Sequence, residues 1–223
     1  MKKLSTLFIF IFLSILTKVH SQATKSDPVD SQGWFSAGLD LNLPKKWKAE
    51  IEYQARMFND FKSFNGSFYS IGVEKELASS FSLLAEYRLS KVLKGTYNRI
   101  SAGFILNKKL ENVKFDLRVL YQNQVQDFDD PTKEIDRDNF VRTRLRMKKE
   151  LSEKVDMIIA FEPIYQVQQG VKIDNYRIQG GLRYNFTKKS SVDVFYINRP
   201  DYGKSYKRVY HILGLSFKHE IKF

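Results

Sequence analysis

The feature that most constrains this chain is a period of two. From Trp34 onward apolar side chains recur at every second position and polar ones fill the gaps. That spacing suits strands, whose side chains point to alternate faces, and not helices, which need three or four residues per repeat. Between Lys46 and Phe58 the division is nearly complete, with Trp47, Ala49, Ile51, Tyr53, Ala55 and Met57 on one face and Lys48, Glu50, Glu52, Gln54 and Arg56 on the other. Val113, Phe115, Leu117, Val119 and Tyr121 likewise oppose Lys114, Asp116, Arg118 and Gln122.

The pattern yields eleven strands, near 34–43, 46–58, 67–77, 81–91, 98–107, 113–124, 138–151, 155–166, 175–186, 191–199 and 208–223. Tight connections such as Leu43-Pro44-Lys45 and Ala78-Ser79-Ser80 alternate with longer ones at Asn59 to Gly66, Val92 to Tyr97, Val125 to Arg137, Val167 to Asp174 and Pro200 to Lys207. An up-and-down meander threads a membrane in this way, with short turns inside and longer loops outside. A soluble sandwich would also alternate, but most of these strands run about 10–13 residues, the length of a tilted span of the hydrocarbon layer. Aromatic rings on the apolar face also gather at strand ends. Trp47, Phe81, Phe186 and Phe223 lie beside the tight turns, and Tyr53, Tyr87, Tyr121, Tyr165, Tyr176 and Tyr196 lie toward the long loops, as two membrane interfaces require.

The expected fold class is therefore all-β, an up-and-down antiparallel transmembrane β-barrel. Single-chain bacterial barrels carry an even number of strands, so the expectation is about twelve, with ten as the alternative. An unseen strand near Asp27 to Gln32, a path of Gln22 to Gly33 through the lumen, or a miscounted pair near Ser191 to Lys207 would each reconcile that number with the pattern.

Ahead of the strands, Met1-Lys2-Lys3 and the apolar run Leu4 to Leu16 read as a cleaved export signal. The run is too short for the roughly 20 apolar residues of a membrane helix. The expected division is a leader over 1–21, an N-terminal segment over 22–33 and an outer-membrane barrel over 34–223. The chain has no cysteine, which excludes disulfides, thiol nucleophiles and a lipoprotein anchor. Its net charge of +12 is spread through alternating strands and matches no nucleic-acid-binding motif. The expected partners are outer-membrane lipid and the barrel assembly machinery, and no nucleic acid. Phe223 closes an alternating strand with Leu213, Leu215, Phe217, His219 and Ile221, and that pattern is similar to the terminal assembly signal of outer-membrane barrels.

Several short strings, Lys45-Lys46-Trp47, Glu52-Tyr53-Gln54-Ala55-Arg56, Ala85-Glu86-Tyr87-Arg88, Arg142-Thr143-Arg144-Leu145-Arg146, Glu162-Pro163 and Gly181-Leu182-Arg183, resemble a family of outer-membrane proteins of Bacteroidetes-type bacteria, domain of unknown function 2490. The resemblance implies the compartment and the fold. It carries over no activity and no catalytic residue.

The most unusual cluster is Arg142, Arg144, Arg146 and Lys148, stacked on one polar face roughly 7 Å apart at strand spacing. Two readings stay open. The cations pair with Asp116, Asp156 and Glu162 of the neighbouring strands, or they form an anion-attracting constriction of the kind that charged rings build in pores. His211 and His219 share the apolar parity of the last strand, with no serine or aspartate placed by spacing to complete a catalytic triad. Eight residues apart, they cannot share a metal ion. The acidic stretch Asp127, Asp129, Asp130, Glu134, Asp136 and Asp138 reads as a solvated loop, with a loosely held calcium ion as the alternative. No cofactor and no metal is expected. The functional expectation is a non-enzymatic barrel, either a narrow pore or a structural and interaction protein, and the rival is a lipid-modifying enzyme of the outer membrane.

Overall fold

The computed structural model describes residues 29–93, 95–128, 135–168, 170–202 and 208–223. The expected leader, its cleavage point before Gln22, and Asp129, Asp130 and Glu134 of the acidic stretch lie outside the described residues. The strands are β1 (Val29–Leu43), β2 (Trp47–Phe58), β3 (Ser63–Ala78), β4 (Phe81–Val92), β5 (Gly95–Leu110), β6 (Val113–Phe128), β7 (Asp136–Glu150), β8 (Val155–Gln166), β9 (Lys172–Asn185), β10 (Ser190–Asp201) and β11 (Arg208–Lys222).

Each strand pairs antiparallel with the next in the chain, and β1 meets β11 to close the barrel. The closing pair is parallel, running in register from Val29 opposite Val209 to Asn42 opposite Lys222. Among the described residues there are eleven strands. The expected barrel stands, and its parity problem is met by this parallel seam rather than by a twelfth strand. β1 starts at Val29, five residues before the pattern becomes regular, because Gln32 and Trp34 continue the inward-facing row. A parallel ladder is slightly weaker per residue than an antiparallel one, but closing the ring removes both free edges.

Two connections expected to be long are short. β3 begins at Ser63 and β5 at Gly95, because backbone pairing continues through their polar stretches, to Phe58 opposite Ser63 and Val92 opposite Gly95. The longer connections therefore collect after β6, β8 and β10, on one rim, and the tight turns form the other.

The outward face is an apolar band. Ile51, Leu83, Ile100, Leu145, Leu182 and Leu215 all lie exposed on it. A soluble monomer does not surround itself with such a surface, whereas a barrel in lipid must. Rings pair at both ends of the band. Phe81 meets Phe104 at 6.0 Å and Phe186 meets Phe217 at 5.9 Å near the tight turns, and Tyr176 stacks on Tyr202 at 5.7 Å beside a long loop.

The inward face is mostly polar, but β1, β10 and β11 place Trp34, Ile197, Tyr210 and Ile212 together there, with Phe195 packed against them. These residues break the alternation, since they sit on the parity that elsewhere carries charge. Gly214 makes room for one of them. A methyl group at its Cα would collide with the Phe195 ring, and one at Gly181 would come within 2.8 Å of Phe195 Cβ.

Candidate functional site

The lumen holds a cavity of about 570 Å³ whose wall runs from Asn42, Lys48 and Glu220 near the tight turns up to Trp34, Arg56 and Arg177 in the long-loop half. Strand parity puts almost every charged residue of the spanning segments on this wall. In so confined a space their arrangement is set by which partners the register brings within reach.

Glu162 on β8 is the hub. Arg142 Nη2 donates to both of its carboxylate oxygens at 3.0 Å, Arg118 Nη2 donates at 3.0 Å from β6, and Arg177 Nη1 donates at 3.4 Å from β9. Arg142 also donates to Gln122 Oε1 at 3.3 Å. The backbone around this hub is irregular for a chemical reason. The β7–β8 ladder skips Thr143 and Arg144 opposite Glu162 and Pro163, and the β9–β10 ladder skips Tyr176 and Arg177 opposite Arg199 and Pro200. Proline has no N–H to give a ladder, so each interruption lies beside an arginine or glutamate of the hub.

Toward the tight turns the pairs are separate. Asp116 accepts from Arg144 at 3.2 Å and from Arg146 at 2.5 Å. Asp156 accepts from Lys148 at 3.0 Å and from Asn185 at 3.1 Å. The four members of the basic ladder thus each face a carboxylate, and the three acids Asp116, Asp156 and Glu162 are those carboxylates. On other walls Arg183 makes a two-point contact with Asp193 at 2.6 and 2.7 Å. Lys218 reaches across β1 to Glu50 and lies 3.9 Å from Asp40.

A second cluster had no signature in the sequence. Arg99 lies 3.1 Å from Glu86, and Arg88 lies 4.0 Å from Glu86 and 3.8 Å from Glu52. Beside them the Arg56 guanidinium is held between two rings, 3.9 Å from the centroid of Trp34 and 3.9 Å from that of Phe68. Its Nε donates to Gln54 Oε1 at 2.7 Å. Among the described residues no carboxylate lies within ion-pair distance of Arg56. Each of these residues lies on the polar parity of its strand, so the available signal was a run of inward arginines at similar distances from the long-loop rim. Only the inter-strand register shows that they meet.

The histidines are on the outer parity. His219 Nδ1 is 2.8 Å from Ser190 Oγ, and these two are direct cross-strand neighbours. His211 Nδ1 contacts the Tyr196 hydroxyl at 2.5 Å, with the two rings stacked. Among the described residues no group of three or more His, Asp and Glu is placed to hold a metal ion. Phe223 lies exposed at the tight-turn rim, where its N–H donates to Asn42 O at 3.0 Å.

The family model described as protein of unknown function (DUF2490) matches residues 31–210, from the first strand to the start of the last. The chain belongs to this family. The DUF2490 match takes in Glu162, Arg142 and the arginines around them, and ends before Lys218 of β11. Among solved structures the chain is similar to the NanC porin, with a TM-score of 0.52 and 13% identity over 76% of this chain and 86% of that one. At that identity the likeness speaks for the fold, and it makes this DUF2490 chain a porin-like barrel. No curated protein matches the chain in sequence.

Proposed function

We propose that the protein is an outer-membrane barrel that forms a narrow, anion-selective pore and performs no chemistry of its own. The observation that carries this reading is a charge imbalance in the long-loop half of the lumen. Among the described residues Arg56, Arg88, Arg99, Arg118, Arg142 and Arg177 gather there, and the carboxylates that pair with them are Glu52, Glu86 and Glu162. A guanidinium stays charged at any physiological pH, so the surplus is permanent and sets up a positive potential in a low-dielectric passage. Such a passage admits anions and repels cations. The apolar outer band and its aromatic ends support a home in a bilayer, and the shared architecture with a porin supports the outer membrane in particular.

The test is conductance of the purified barrel in a planar bilayer under a potassium chloride gradient. The reversal potential is expected to show chloride preference, and Arg177→Gln is expected to reduce that preference. Cation preference, or a bilayer that stays silent, would overturn the pore. Outer-membrane residence is checked by cell fractionation and by a gel mobility that changes on heating.

A further inference from the structure

The walls of the cavity differ in character. Cations come from β2, β4, β6, β7, β9 and β11, whereas β10 presents Phe195 and Ile197. A passage that merely conducts inorganic ions gains nothing from an apolar wall, which offers no hydrogen bond to a hydrated ion. A solute with two chemically distinct ends would use both walls.

Arg56 is built to hold such a solute. Sandwiching between Trp34 and Phe68 fixes the plane of its guanidinium, and Gln54 takes up only Nε. Its two terminal nitrogens can grip an oxyanion end-on in a two-point contact. Arg177 lies 5.7 Å from the same Trp34 ring and brings a second guanidinium to the same place, and its carboxylate partner Glu162 is already shared with Arg118 and Arg142. Unlike every rung of the ladder formed by Arg142, Arg144, Arg146 and Lys148, Arg56 has no acid within ion-pair distance among the described residues. Its fixed plane and open donors leave it available to a ligand.

The geometry points to a binding site for a small organic oxyanion, a carboxylate or a phosphate monoester, whose charged end docks on Arg56 and Arg177 and whose compact apolar body lies along Phe195 and Ile197. This deepens the pore reading and rests on it for the route by which the solute arrives. The site itself can be measured without any current.

The chain has two tryptophans, so Trp47→Phe leaves Trp34 as the only indole and as a reporter inside the site. The protein in detergent micelles is titrated at constant ionic strength with cyclohexanecarboxylate, cyclohexyl phosphate, neutral cyclohexanecarboxamide and inorganic phosphate. A saturable change in Trp34 emission is expected with one or both cyclohexyl anions, and the stronger of the two tells which headgroup is preferred. The carboxamide and inorganic phosphate are each expected to bind at least about 10-fold more weakly, the loss that follows removal of one charge-assisted contact or of the apolar body. Arg56→Gln is expected to weaken the cyclohexyl anions by a similar factor. Phe195→Ala, which keeps every charge, is expected to bring them down toward inorganic phosphate and serves if Arg56→Gln does not fold. A response to the carboxamide equal to that of the anions, or titrations unchanged in the folded variants, would overturn the site. A flat titration in a barrel that conducts chloride removes the site and leaves the pore, whereas saturable binding in a barrel that conducts nothing upholds the site and removes the pore.

Discussion

Arg142 Nη2 stands 3.0 Å from both oxygens of Glu162, and that one carboxylate also serves Arg118 and Arg177. Its replacement should cost more than any single arginine. Glu162→Gln keeps the shape and removes the charge, leaving three guanidinium groups on a neutral amide. The expected destabilisation is about 1–3 kcal/mol, the usual consequence of leaving a buried polar group without its partner. Denaturant unfolding in detergent measures it, and the same variant should conduct with greater chloride preference than the parent.

The inner and outer faces should respond to truncation in opposite ways. Leu120 is 1% exposed in the lumen, whereas Ile100 is 64% exposed on the outer band. Leu120→Ala is expected to cost about 2–5 kcal/mol, because the space it leaves is enclosed by protein. Ile100→Ala should cost less than about 1 kcal/mol, because lipid tails are as apolar as the side chain and close over the gap. Equal losses from the two variants in lipid vesicles would show that the faces are misassigned.

Phe195 and Gly214 form a coupled pair. Gly214→Val drives a branched side chain into the space the Phe195 ring occupies, and overpacking of this kind costs about 1–3 kcal/mol. Adding Phe195→Ala should recover part of that loss, so the double variant is expected to be more stable than the sum of the two single effects. Strict additivity would mean that the two positions do not touch.

Leu215 lies midway along β11 on the apolar band. Leu215→Arg is expected to destabilise the barrel in lipid by about 2–4 kcal/mol, the cost of a cation near the bilayer midplane. The same substitution one position later, Ser216→Arg, points into the lumen and should change conductance more than it changes folding in lipid.

Strand identity was legible because alternation is a local property, and Trp47 to Phe58 declares its two faces with no knowledge of a neighbour. The pairing of Arg144 and Arg146 with Asp116 could be set out as one of two readings because β6 and β7 are consecutive in the chain, and consecutive strands of a meander are neighbours in the sheet. The cluster of Arg56, Trp34 and Phe68 was not legible, since it draws on three strands: Trp34 lies opposite Arg56 across β1 and β2, and Phe68 lies opposite Gln54 across β2 and β3. The seam between β1 and β11 was out of reach for a similar reason. Its residues are separated by nearly the whole chain, and no local pattern states whether two distant strands run the same way. The lumen apolar group of Trp34, Ile197, Tyr210 and Ile212 was obscured by the very rule that revealed the strands, because a barrel narrow enough to pack its own interior accepts large apolar side chains on its inner parity.

A strand path that crosses an odd number of times delivers its two ends to opposite faces. Val29 begins beside the long loops and Lys222 finishes beside the tight turns, and because they belong to hydrogen-bonded neighbours the ring is sealed by partners that entered the sheet from the same direction. An epitope joined at Val29 and another joined after Phe223 would report from different compartments. Insertion into a bilayer must then carry one end of this strand path through the membrane, a step that a path with an even number of crossings never demands.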